Sequence, residues 1–333
     1  MLALVTGGTG FVGYHVVAAL RERGHQVRAL VRDPERAQAL IALGADICVG
    51  DLATGAGIEA AVRGSDAVFH VAAHYSLDRR DDAVMYAANV EGTRRLIDAV
   101  RRAGGPRLVY TSSTAAVKLR HDGKPATEED GFNDPDKVYS TYKKTKVLAE
   151  RLAMDAAASG MDIVIVNPST PVGPYDVKPT PTGRIVLDTM LGRMPAYVET
   201  GLNLVAVEDV ALGHLLAYER GRRGERYILG HRNMHFGDLV AMVARLSGRR
   251  APRAKIPFWV AMSVAVVDDY MLSRLLRRAP RAPVAGVKLA REPMYFDATK
   301  AVQELGMPQS SVEDALRRAI TWFREAGMAP VSK

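Results

Sequence analysis

The chain has 333 residues, 48% hydrophobic and 25% charged, with a formal net charge of +8 at pH 7. That length can bury a large core, and that balance excludes wholesale disorder. The one cysteine, Cys48, leaves no internal disulfide and no thiolate metal cluster, so a reduced, cytoplasmic location is expected and no metal site.

No basic segment precedes the strand-like residues 2–5, so no signal peptide is expected. The arginines are scattered and no nucleic-acid-binding module accompanies them; the expected partner is a small molecule, not nucleic acid. The longest apolar stretch, 256–267, stops at Asp268 and Asp269 and is shorter than the roughly 20 residues a membrane span needs. Together with the apolar residues 271–276 and the basic pair Arg277 and Arg278, it reads as a domain core, a dimer face, a lipophilic pocket or a peripheral membrane contact.

In chain order, strands are expected at 2–6, 26–31, 46–49, 67–71, 107–112 and 163–167, with helices between them at 11–23, 35–43, 57–63, 81–103 and 137–159. The strands are short, Val/Ile/Leu-rich and unalternating, as in strands buried on both faces of a parallel sheet. This alternation predicts an α/β fold, a doubly wound parallel sheet of Rossmann type. After Asn167, five prolines between Pro168 and Pro181 predict a break in regular structure. Beyond it, strands at 203–207 and 226–229 and a helix at 312–325 suggest a smaller C-terminal α/β lobe. The division expected is a dinucleotide-binding domain at 1–170, with additions from 203–230, and a substrate-binding lobe at 171–330.

Thr6-Gly7-Gly8-Thr9-Gly10-Phe11-Val12-Gly13 follows the first strand and opens the first helix. Glycines at such spacing allow a tight turn, a close approach to a pyrophosphate and close helix–strand packing; the helix N-terminus meets the phosphates. Gly7, Thr9, Gly10, Phe11, Val12 and Gly13 are therefore candidate dinucleotide contacts. At the end of the second strand, an acid would hold a ribose hydroxyl and an Arg a 2′-phosphate. Arg32 stands there, with Arg36 one short turn later, which favours NADP over NAD. Asp51 and Leu52, after the third strand, would reach the adenine; Ala72 and Ala73, after the fourth, would lie against the cofactor.

Tyr142 and Lys146 share a helix face one turn apart. A phenol is a poor acid–base catalyst near neutrality, and a nearby ammonium and the positive nicotinamide ring are expected to lower its pKa. Ser113, ending the fifth strand, would hydrogen-bond a substrate oxygen. Tyr139 and Lys143 have the same spacing, and spacing alone leaves both registers open. His74 and Tyr75 are candidate substrate contacts, with Ser113, Thr114, Thr170 and Arg184. His214 and Asp209 read as capping or packing residues, and His121 as exposed.

With Asp51-Leu52, Val71-Ala72-Ala73, Asn89-Val90-Glu91-Gly92-Thr93, Tyr110-Thr111-Ser112-Ser113 and Asn167-Pro168-Ser169, the whole chain resembles the extended short-chain dehydrogenase/reductase family. In that family a small hydroxyl residue precedes the catalytic Lys and Ala-Glu follows; Thr145 and Ala149-Glu150 thus select Tyr142. The resemblance makes Ser113 catalytic with Ser112 supporting, and gives Asn89 a part in holding Lys146. It sets Pro168 and Ser169 beside the nicotinamide carboxamide, and implies a homodimer built from helices 81–103 and 137–159. The segments 166–174, 178–184, 194–197 and 200–204 look like the hopanoid-associated sugar epimerase group. That group in turn resembles dihydroflavonol 4-reductases and 3β-hydroxysteroid dehydrogenases.

Family dehydratases place an Asp-Glu pair after the serine; here Thr114-Ala115-Ala116 follows, which argues against dehydration. The leading expectation is an NAD(P)-dependent reductase or dehydrogenase acting on a hydrophobic secondary alcohol or ketone. A nucleotide-sugar epimerase comes second and a non-catalytic dinucleotide sensor third.

Overall fold

The computed structural model describes residues 1–76, 78–138, 140–252, 254–272 and 284–330. Tyr139, Arg277 and Arg278 lie outside the described residues, as do 273–276 of the apolar stretch.

Seven parallel strands form the central sheet: β1 (Leu2–Thr6), β2 (Gln26–Val31), β3 (Asp46–Val49), β4 (Ala67–His70), β5 (Arg107–Thr111), β6 (Ile163–Pro168) and β10 (Arg226–Leu229). Their order is β10-β6-β5-β4-β1-β2-β3. Every residue of β4, β6 and β10 is buried, which is why these strands are mostly apolar, their polar residues being His70, Asn167 and Arg226. One face is covered by α1 (Phe11–Glu22) through Val16, Val17 and Leu20 and by Val210 and Leu215 of a later helix, 207–220. Leu96, Ile97, Val100, Ala149 and Ala153 cover the other. The chain leaves β1 for β2 on one side and reaches β4 on the other, so a crevice opens at the carboxyl ends of β1 and β4, where such sheets bind ligands.

Further helices are α2 (Gln38–Ala42), α3 (Ile58–Val62), α4 (Asp82–Tyr86), α5 (Gly92–Arg102), α6 (Thr141–Ala158), α7 (Pro181–Met190), α8 (Val207–Arg220), α9 (Phe236–Ser247), α10 (Phe258–Val266), α11 (Val284–Leu289) and α12 (Val312–Glu325). Between α4 and α5 the predicted single helix widens into a π-helical turn, Ala87–Glu91. Helix α6 starts later than predicted: Lys137 and Val138 donate their amides to the Asp134 carbonyl in a separate turn, and Ser140 is extended.

The proline-rich segment is more ordered than expected. Thr170–Val172 forms a strand, β7, and Pro181 opens α7, because proline lacks only an amide that the first helical turn leaves free. The Thr180 hydroxyl caps that turn, accepting from Gly183 N at 3.1 Å. In the smaller lobe β9 (Gly201–Ala206) lies between β7 and β11 (Arg232–His235), and β8 (Ala196–Tyr197) pairs with β12 (Ala254–Lys255). Leu187 of α7, Leu239 of α9, and Leu316 and Phe323 of the helix Val312–Glu325 close its core.

Helix α10 buries Ala261 and Ala265 but leaves Trp259 70% and Val264 57% exposed, with Val266 and Val267 also open. Its outer face is therefore not core, although the apolar run alone allowed that. Among the described residues no helix is long and apolar enough to cross a membrane.

Candidate active site

The glycine loop is built as its chemistry requires. Gly7 has φ +74°, and a Cβ there would lie 2.6 Å from the Ala72 backbone; one on Gly13 would lie 2.1 Å from the Gly7 carbonyl oxygen. Any other residue would push β4 or α1 away and spoil the cradle. The carbonyl of Gly7 accepts from Gly10 N at 2.9 Å and turns the loop back, leaving the start of α1 open to an anion. Ala72 N donates to the Thr6 hydroxyl, which also meets His70 Nδ1 at 2.7 Å.

Arg32 is exposed just past β2. Arg36 is held 3.1 Å from Asp33, and the Asp33 carboxylate also accepts from Glu35 N. Asp51 accepts from Ala53 N at 2.9 Å, and Arg95 clamps the Leu52 and Ala53 carbonyls, which fixes the loop after β3. Pro168 ends β6, and Ser169 N donates to Leu229 O. The Ser169 hydroxyl is buried with no hydrogen-bond partner among the described residues, as is His74 Nε2. An orphaned hydroxyl at this place, with a cradle that a Cβ would fill, fits a dinucleotide lying from Gly7 to Ser169.

Ser113 is extended beyond β5, its Oγ accepting from Ala115 N at 3.1 Å. Tyr142 sits in the first turn of α6. Burial raises its phenol above the usual value of 10.0, and the Ser113 hydroxyl opposes that rise. Lys146 is buried, and its Nζ donates to the Thr111 carbonyl at 2.7 Å and lies 5.5 Å from the centre of the Tyr110 ring. Burial pulls its amine down to about 8, against the pull of Glu150. Burial outweighs the Ser113 hydrogen bond, so the phenol pKa goes up, while the Lys146 ammonium is directed at a backbone carbonyl.

Asn89, in the π turn, accepts from His74 N at 2.7 Å and donates to the His74 carbonyl and, at 3.1 Å, to Thr145 Oγ. Thr145 in turn donates to the Tyr142 carbonyl. Asn89 therefore touches the residue before Lys146 and braces the loop after β4. Tyr75 on that loop meets Tyr142 edge-on, ring centres 4.6 Å apart, and burial raises its own phenol. Burial lowers the His74 pKa; Asp81 opposes, and Lys178 and Arg32 add a further downward push. Thr114 is buried beside Ser113, and Thr170 begins β7. Arg184 is exposed on α7 and acts on the buried carboxyl of Asp176, so a carboxyl group stands near this candidate substrate contact.

Asp209 accepts from the amide and hydroxyl of Ser310, both at 2.7 Å, and His214 bridges Thr111 Oγ and the Val210 carbonyl. Both are packing residues, and His121 is exposed. Sequence reasoning missed a buried polar group behind Ser113: Glu150, Asn167 and Arg226. Glu150 was visible only as a marker of register, and nothing local ties Arg226 to it.

A family model described as the NAD dependent epimerase/dehydratase family matches residues 3–230. The chain is 48% identical over 328 residues to a putative dihydroflavonol 4-reductase of Synechocystis sp., covering 97% of this chain and 94% of that one. It is 36% identical over 329 residues to sterol demethylase protein B of Methylococcus capsulatus, covering 98% and 100%. The crystal structure of gox2253 superposes with a TM-score of 0.87 at 44% identity, covering 98% and 99%. The chain belongs to the NAD dependent epimerase/dehydratase family, enzymes of the extended short-chain dehydrogenase/reductase type.

Proposed function

We propose that the protein is an NAD(P)H-dependent reductase that interconverts a ketone and a secondary alcohol on a hydrophobic substrate of terpenoid, steroid or flavonoid kind. The observation that carries this reading is the convergence of Ser113, Tyr142 and Lys146 at the end of β5, followed by Thr114-Ala115-Ala116 without a carboxylate. Two relatives named for dihydroflavonol and sterol chemistry support the substrate class.

When bound, the nicotinamide supplies or accepts the hydride. The chain's own residues do the rest. Gly7, Gly10 and Gly13 admit the pyrophosphate, Arg32 meets a 2′-phosphate, and the Ser169 hydroxyl meets the carboxamide. Ser113 holds the substrate oxygen, and Tyr142 passes the proton to or from it. Lys146 carries the positive charge that stabilises a phenolate at Tyr142 Oη as the proton leaves. Tyr75, stacked edge-on against Tyr142, excludes water from that proton path.

The enzyme is further read as a cytoplasmic homodimer. Val84 and Tyr86 stand 50% and 44% exposed on α4, beside α6, on the side where a second copy would pack. The outer face of α10 provides a peripheral contact with lipid.

The test is a panel of hydrophobic ketones with NADPH and with NADH, followed by absorbance at 340 nm. Ketone-dependent oxidation that vanishes in Tyr142→Phe supports the reading. Purified protein that retains NAD and interconverts UDP-sugars, with no ketone turned over, overturns it in favour of an epimerase.

A further inference from the structure

Behind the serine strand lies a charge pair that the proposed chemistry does not use. Glu150 follows Lys146 by one turn of α6 and is fully buried, and Arg226, on β10, is 6% exposed. Arg226 Nε lies 2.6 Å from Glu150 Oε1. Glu150 Oε2 accepts from the Ser112 hydroxyl and, at 2.8 Å, from Asn167 Nδ2. The same amide nitrogen of Asn167 donates to the Ser113 carbonyl at 3.1 Å. On its other side Arg226 donates to the carbonyls of Glu128 and Gly131 and lies over the Phe132 ring at 4.5 Å. One carboxylate thus joins α6, the end of β5, β6 and β10, and through Arg226 it reaches the loop that leaves the serine.

Stability alone is a weak reason for such a group. Removing two charges from water is costly, and a well-packed apolar pair of similar volume often holds a fold equally well. What an apolar pair lacks is direction. Hydrogen bonds set the depth of α6 against β5, and so set the Tyr142 phenol against Ser113. The groups that face Lys146 are the Tyr110 ring, His70, the Thr111 carbonyl and Glu150. His70 is neutral, because burial holds its pKa at about 3, and Tyr110 is kept un-ionised by burial. Among these Glu150 is the one anion.

We propose that Glu150 and Arg226 are a positioning pair: they hold Ser113 in register with Tyr142 and give Lys146 its anionic counter-charge. Neither touches the reacting atoms. The inference rests on the reductase reading for its kinetics but not for its electrostatics. Burial draws the Lys146 amine down and Glu150 opposes it, so loss of the carboxylate makes Lys146 release its proton at lower pH. The alkaline limb of the rate profile then moves toward acid.

The experiment compares Glu150→Gln, Arg226→Met and the double variant with the wild type. Lys146 is titrated by the 13Cε shift of labelled, cofactor-free protein, and kcat and KM are measured against pH with NADPH and the ketone the wild type reduces fastest. Glu150→Gln is expected to lower the Lys146 midpoint by about one unit and kcat by about tenfold. KM and NADPH affinity should stay within about threefold of wild type. In the double variant neither member of the pair leaves the other's charge unpaired, so it should fold even where a single variant does not, and it should keep the lowered midpoint and kcat. A double variant with wild-type kcat and an unmoved Lys146 titration would show the pair to be structural only. If the wild type reduces no ketone, the reductase reading fails while the titration still decides this one.

Discussion

The wall made by β5, β6, β10 and α6 buries Lys146, Glu150, Asn167 and Arg226, whereas the outer face of α10 exposes Trp259, Val264 and Val266. On the wall every charge has a partner, since an unpaired charge in a dry interior would cost several kcal/mol. On α10 the apolar side chains face solvent on a helix whose buried side holds only Ala261 and Ala265. Both arrangements depart from what folding alone favours. The wall gives up solvation for paired polar groups, and α10 leaves apolar side chains in water.

The largest effect that could break this contrast is at Tyr142. Tyr142→Phe should cut ketone reduction by about 10²- to 10⁴-fold while leaving NADPH affinity within about threefold, measured by steady-state kinetics and cofactor fluorescence. Unchanged turnover would return the assignment to Tyr139. Next in size, Arg32→Ala should weaken NADPH binding by about tenfold or more and NADH binding little, because a charge-assisted phosphate contact is lost. Equal losses for both cofactors would remove its part in selecting NADP.

The buried interior on either side of β5 also carries a pH signature. His70 and His214 titrate near 6.5 when unfolded and at about 3 and about 4 when folded, because burial disfavours the charged ring. The unfolded chain therefore binds more protons between those limits. Stability is fully present above pH 6.5 and is lost as pH falls toward 4. Melting temperature should drop steadily across that window, and less steeply in His214→Gln. The smallest effect is expected on the other side of the contrast. Trp259→Ser with Val264→Ser should change stability by no more than about 0.5 kcal/mol per site, since neither side chain is buried. The same pair should abolish co-sedimentation with anionic phosphatidylglycerol vesicles, and undiminished vesicle binding would leave that face without its assigned contact.

Much of the dinucleotide half was readable because its signals are local. A glycine that must turn at positive φ, a phenol and an ammonium one helical turn apart, and strands buried on both faces each write themselves into a few consecutive residues. The proline-rich segment misled, because Pro181 counts as a breaker in sequence but as a ready first residue once Thr180 caps the helix. The wide turn at Asn89 was also invisible, since a π insertion keeps the helical residue types and changes only their phase.

Chain order and residue type by themselves determined the parallel sheet, because hydrophobic period acts over a few residues; they proposed the glycine loop and left Tyr139 and Tyr142 as alternatives until the family resemblance chose between them. Only the tertiary structure could bring Arg226 onto Glu150, turn Lys146 to the Thr111 carbonyl, and leave Trp259 and Val264 of α10 exposed among the described residues. Those outcomes depend on which surfaces meet across long stretches of chain. A pattern of apolar residues states that a face seeks cover and is silent about what covers it.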